Sequence, residues 1–210
     1  MTMTEPRRTS MTATEAIATR RSIRSFTPDP VDEAQVRALL EAAVQAPTAM
    51  HVEPWVFLVI QDRAALKRYS DVAKTTMVRE ADLYRDLHDP SVTPKNGGFL
   101  KALARPDFNV FYNAGTVILI ACRQTSPFVV GDCWLAAENL MLEAHALGLG
   151  TCCIGSALPA FQDRAVRSEL GLPEDLTVMA AIVVGVPAER PAPRGRKPPF
   201  ILTWKKLAAP

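Results

Sequence analysis

The sequence predicts one domain that mixes helices with buried strands, and three observations carry that reading. Three apolar runs, WVFLVIQ at 55–61, TVILIACR at 116–123 and VMAAIVVG at 178–185, have strand length and strand composition. Between them, apolar residues recur at helical spacing beside helix start and stop signals. At 210 residues, the chain is long enough to bury a core without a metal or disulfide staple.

Residues 1–11 read as a flexible leader and 12–20 as a short helix. Asp32 is placed to cap the next helix, and Gln35 sits three residues later at the spacing of a capping box. Val36, Leu39, Leu40 and Ala43 follow at helical period. Pro47 ends the helix, because a residue before proline is pushed out of the helical region. After the strand at 55–61, a helix is expected from 63 to about 74. Residues 75–112 look irregular, with HDPSVTP, Gly97-Gly98 and Arg105-Pro106, and read as a functional cover.

From Asp132, CWLAAENLMLEAHALG is apolar around most of its circumference, so this helix is expected to be covered on several sides. Gly148 and Gly150 are assigned as its stop. A short strand at 151–154, a helix at about 160–169 and the strand at 178–185 complete the core. The tail, 187–210, holds six prolines and is expected to lie extended. Residues 12–210 thus form one domain.

Composition narrows the function classes. With 48% hydrophobic and 22% charged residues, disordered, collagenous and coiled-coil chains are excluded. No apolar run approaches the roughly 20 residues of a membrane span, and no signal peptide is readable. Four cysteines, at 122, 133, 152 and 153, lack zinc or CxxC spacing and read as core thiols of a reducing compartment. A cytoplasmic protein is expected. The net charge of +2 is uneven: 1–24 holds five Arg against two Glu, and 189–210 holds six Lys/Arg against one Glu. The rest of the chain is therefore −6. Basic ends on an acidic body do not suggest nucleic acid. They are either solvated tails or two ends converging on one anion.

The common catalytic signatures are missing. GLGTCCIG follows a helix, whereas the dinucleotide fingerprint follows a strand. His51, His88 and His145 lack metal spacing, and His145 reads as a core histidine. Two constellations remain. RRSIR sets Arg20, Arg21, Ser22 and Arg24 within five residues. Guanidiniums match phosphate oxygens with paired, charge-assisted hydrogen bonds, although a solvated basic patch fits as well. APTAMHVEPWVF at 46–57 is a loop whose backbone amides and carbonyls could read a flat heterocycle, or an ordinary helix-to-strand turn.

Taken in order, RRSIRSFTPDPV, APTAMHVEPWVFLVI, DCWLAAENLMLEAHALGLGTCCIGS and GLPEDLTVMAAIVVGVPAE closely resemble the FMN-dependent nitroreductase family, as does the basic RGRKPP. The resemblance covers about 15–205, with 75–112 unmatched. It implies an α+β, three-layer sandwich: a mainly antiparallel sheet flanked by helices, in an intertwined homodimer with FMN at the interface. It also implies that Arg20, Arg21 and Ser22 meet the phosphate and ribityl chain, and that Arg24 lies near the flavin pyrimidine as a possible stabiliser of the flavin anion. Arg194 and Arg196 would reach the phosphate from the other end. Pro47, Thr48, Ala49 and His51 would come from the partner subunit, and Ile154, Gly155 and Ser156 would line the ring.

No protein nucleophile or metal is needed, since the cofactor carries the chemistry. NADH or NADPH would reduce the flavin, and a small-molecule electron acceptor would leave reduced; neither nucleic acid nor membrane is an expected partner. His51 and Glu53 stand where the family pattern has Asn and Gln, and a carboxylate beside a flavin anion disfavours reduction unless it is paired. Three alternatives accompany this reading: a reductive dehalogenase, a biosynthetic dehydrogenase, or a redox-silent flavin-binding protein.

Overall fold

A computed structural model describes residues 11–87, 97–192 and 195–206. Most of the expected leader, His88 and Arg194 lie outside the described residues. The two expected helix starts form as capping boxes. In α1 (Ala13–Thr19), Thr12 accepts from the Glu15 amide, and Glu15 accepts from the Thr12 amide at 2.8 Å. In α2 (Glu33–Ala43), Asp32 and Gln35 exchange the equivalent pair. Each box satisfies amides that the first helical turn leaves without a partner.

Strands β1 (Trp55–Ile60), β2 (Thr116–Cys122), β3 (Gly150–Cys153) and β4 (Thr177–Gly185) form one sheet in the order β1-β2-β4-β3, every pair antiparallel. The two central strands are apolar after their leading threonines because both sheet faces are covered. Ile118, Ile120, Ile182 and Val184 pack on one face against α2 and α5 (Val129–Ala146). Val117, Leu119, Ala181 and Val183 pack on the other, beneath α3 (Arg63–Leu87), α4 (Gly97–Leu103), the 3-10 segment Gly155–Gln162 and α6 (Arg164–Glu169). Alternate residues feed opposite cores, which is the period of a strand. The result is a three-layer α+β sandwich.

Three expectations are corrected. The helix begun at Arg63 runs to Leu87 rather than stopping near Lys74, because no Gly or Pro interrupts 63–87. With α4 added, much of the expected irregular cover is helical. The expected helix at about 160–169 is two pieces, the 3-10 segment and the shorter α6, separated at Asp163, whose side chain caps α6. The stop of α5 belongs to Gly148 alone. Gly148 takes φ +78, and the Leu149 amide donates to Ala144 O at 2.8 Å, closing the helix in a Schellman motif. Gly150 is instead the first residue of β3.

The N-terminal arm after α1 is held by backbone pairing on both sides. Ile23 N donates to Thr151 O at 2.9 Å, extending the sheet beyond β3. Thr27 N donates to Val186 O at 2.9 Å and Ala188 N to Ser25 O at 3.0 Å, so the arm also pairs with the chain leaving β4. Gly150 makes the first contact possible: a Cβ there would lie 2.7 Å from Ile23 Cγ1. Gly150→Ala should therefore destabilise the fold by about 1–3 kcal/mol through overpacking. In an Ile23→Ala background the added cost should shrink, because Cγ1 and Cγ2 are gone while Cβ remains 2.9 Å away. Chemical denaturation of the four proteins checks this; an equal cost in both backgrounds would place the strain elsewhere.

Candidate functional site

The arm and the first residues of the tail converge on a half-open cavity of about 330 Å³. Arg20, Arg21, His145, Thr151 and Arg190 line it. Each cation is positioned by backbone or by an acid. Arg21 Nη1 donates to Ala18 O at 2.9 Å and Arg20 O at 2.6 Å, at the end of α1. Arg190 Nη2 donates to Gly148 O at 2.8 Å, on the stop of α5, where the helix dipole favours a cation. Arg20 Nε lies 3.3 Å from Glu138 Oε1. Even so, the buried Nε atoms of Arg20 and Arg21 have no hydrogen-bond partner among the described residues. Three guanidiniums lining one cavity offer an anion paired, charge-assisted hydrogen bonds.

His145 also lines this cavity, which corrects its reading as a core residue; it is only partly buried. Its Nε2 is 2.8 Å from Thr19 Oγ1, which itself donates to Glu15 O at 2.5 Å. Burial, then the charges of Arg190, Arg20 and Arg21, hold the imidazole below its ordinary pKa.

Arg24 and the turn after β3 lie outside this lining. Arg24 is exposed and its guanidinium stands 5.9 Å from the Tyr112 ring centroid, a cation–π contact with the expected cover segment. Ile154 is buried, and its amide donates to Ala181 O at 2.8 Å, fixing the turn from β3 into the 3-10 segment. Gly155 at the start of that segment is exposed, with open space where a Cβ would stand. Ser156 beside it is half-buried.

The loop 47–53 sits apart from the arginine cavity. Ala49 N donates to Oδ1 of the buried Asp132, in the first turn of α5, at 3.2 Å. His145 lies in the last turn of α5, about 20 Å away at 1.5 Å per residue. Within one chain, then, the loop and the arginine cavity stand at opposite ends of α5. The loop is strained: Met50, His51 and Glu53 have φ of 54, 56 and 48, a conformation that costs non-glycine residues about 1–3 kcal/mol each. Thr48 Oγ1 accepts from the Glu53 amide at 3.4 Å, while Pro47 is exposed. Glu53 Oε1 pairs with His51 Nε2 at 3.2 Å, so the carboxylate has a local partner.

Sequence reasoning missed Arg190, whose only signal was its place among the basic residues at 189–210. Arg196 lies further along the tail and is exposed. All four cysteines are unbridged; burial, with Cys122 alongside, pushes Cys133 up to about 12, and burial raises Cys152 and Cys153, which disfavours the reactive thiolate at these three. Among the described residues no His/Cys/Asp/Glu group is arranged to hold a metal, and no helix is long and apolar enough to cross a membrane.

The nitroreductase family model matches residues 17–186, and the chain belongs to that family. It is 30% identical over 209 residues to the nitroreductase NfnB of Mycolicibacterium smegmatis, covering 89% of this chain and 88% of that protein. It is 29% identical over 205 residues to an NADH dehydrogenase of Thermus thermophilus, covering 92% and 96%. The fold matches a Bacteroides fragilis nitroreductase solved with bound FMN, at a TM-score of 0.73 and 23% identity, covering 93% of this chain and 98% of that one.

Proposed function

We propose that this chain is an FMN-dependent NAD(P)H oxidoreductase that reduces nitroaromatics, quinones or similar electrophilic small molecules in a ping-pong cycle. The observation that carries this reading is the cavity where Arg20, Arg21 and Arg190 meet. Three guanidiniums suit the single phosphate of FMN. The flavin, when bound, supplies hydride transfer through N5.

The chain's residues supply binding and electrostatics. Arg20, Arg21 and Arg190 hold the phosphate, with Ser22 beside them toward the ribityl chain; Arg194 and Arg196 are further phosphate candidates on the tail. Arg24 offers a fixed cation to negative charge developing on the ring, and its packing on Tyr112 keeps it in place. Ile154, Gly155 and Ser156 border the ring, Gly155 leaving room for a close approach. Glu53 Oε1 stands 3.2 Å from His51 Nε2, so the imidazole engages this carboxylate locally. The relatives point the same way: the Bacteroides protein holds FMN, and the Thermus protein is named for NADH.

The active unit is a homodimer in this reading. Separation of the loop 47–53 from the arginine cavity along α5 supports a site in which Pro47, Thr48, Ala49 and His51 come from a second copy. Exposed apolar residues support it too. Phe128, Val130, Trp134 and Leu135 crowd the first half of α5, and the extended tail exposes Phe200 at 89% and Trp204 at 72%. Patches of this kind mark interfaces.

The protein should purify yellow with releasable FMN, and anaerobic NADH or NADPH should bleach the visible band rapidly. FAD as the released flavin, or a colour that persists with both donors, would sink the assignment. Sedimentation at micromolar concentration should give about twice 22.9 kDa. A monomer that retains FMN would contradict the shared site.

A further inference from the structure

The tautomer of His145 follows from its one hydrogen bond. A backbone carbonyl only accepts, so the single hydroxyl hydrogen of Thr19 goes to Glu15 O at 2.5 Å. Thr19 Oγ1 must then accept from His145, which puts a hydrogen on Nε2 at 2.8 Å. Nδ1 is left as the nitrogen able to take a further proton.

The charges around this ring are unbalanced. Arg20 and Arg21 face it from the arm and Arg190 from the tail. Glu15 reaches it only through its backbone carbonyl, its carboxylate being engaged by Thr12 in the α1 cap. On α5 itself the nearest acids in sequence are Glu138, paired with Arg20, and Glu143. Burial first, and then the three guanidiniums, disfavour the imidazolium and lower the pKa of His145. A phosphate dianion among them offsets two of those three positive charges and so eases protonation of the ring.

We propose that His145 is a proton-linked member of the anion pocket: a phosphate dianion held by Arg20, Arg21 and Arg190 is bound together with a proton from solvent on His145 Nδ1. This rests on the flavin-phosphate reading for its physiological ligand, but inorganic phosphate tests the same chemistry. The imidazolium then adds charge to the phosphate site while its Nε2–H keeps the arm fixed to α5 through Thr19. Flavin retention thereby becomes sensitive to pH across the range in which an imidazole titrates.

Full-length apoprotein and His145→Gln, whose side-chain amide can still donate to Thr19, are titrated with FMN, riboflavin and inorganic phosphate at pH 6.5 and 8.0. The ratio of variant to wild-type Kd for FMN should be at least threefold larger at pH 6.5 than at 8.0. Phosphate should show the same trend and riboflavin none. Calorimetry of the unmodified protein in buffers of different ionisation enthalpy reads proton uptake directly, and it holds even if the variant folds poorly: FMN should bring more protons into the complex than riboflavin. FMN binding with a pH-independent ratio and no excess proton uptake overturns the role of His145 and leaves the flavin reading standing. If no flavin binds, the flavin reading fails and the phosphate arm alone decides His145.

Discussion

The backbone pairing of residues 22–27 is the constraint on which the site depends. One side of this arm continues the sheet past β3, through the Ile23–Thr151 hydrogen bond. The other side binds the chain just as it leaves β4, through Thr27–Val186 and Ala188–Ser25. Those few bonds bring Arg20 and Arg190, some 170 residues apart in sequence, to the same cavity. Without them the two basic ends would be solvated tails. Burial of Ile23 contributes on the order of 1.5–3 kcal/mol to holding the arm down, and the small residue at 150 is what permits it.

From that constraint the functional geometry follows along α5. The C-terminal end of this helix, with His145, Gly148 and the guanidinium of Arg190, forms the anion end. Its first turn carries Asp132, which holds the strained loop 47–53. One helix thus separates the arginine cavity from the loop 47–53 by about 20 Å, which is why a second copy of the chain is part of the proposal. The apolar residues exposed between those ends, Trp134 and Leu135 among them, lie where such a copy would pack.

Much of this was legible in the sequence where the determinants are local. Both capping boxes, the three long strands and the stop at Gly148 depend on residues within a few positions of one another. RRSIR was legible as a cluster of cations, but alone it fits a solvated patch as well, and only the fold brings Arg20 and Arg21 into a shared cavity. The longer α3 was not, since its Thr75-Thr76 and charged turns look like a loop although nothing in them breaks a helix. Gly150 was misassigned because its constraint, the approach of Ile23, comes from the arm rather than from α5. Arg190 and His145 were hidden for the same reason: each becomes part of a pocket only through tertiary pairing.

A double-mutant cycle on FMN affinity tests the convergence of the two ends most directly. Arg20→Ala and Arg190→Ala should each weaken FMN binding at least tenfold, which needs only about 1.4 kcal/mol, and riboflavin binding should barely respond. If both arginines hold one phosphate, the double variant should depart from the sum of the singles by about 0.5–3 kcal/mol. Additive losses that are equal for FMN and riboflavin would show that the arginines act through folding, and would contradict a shared phosphate site.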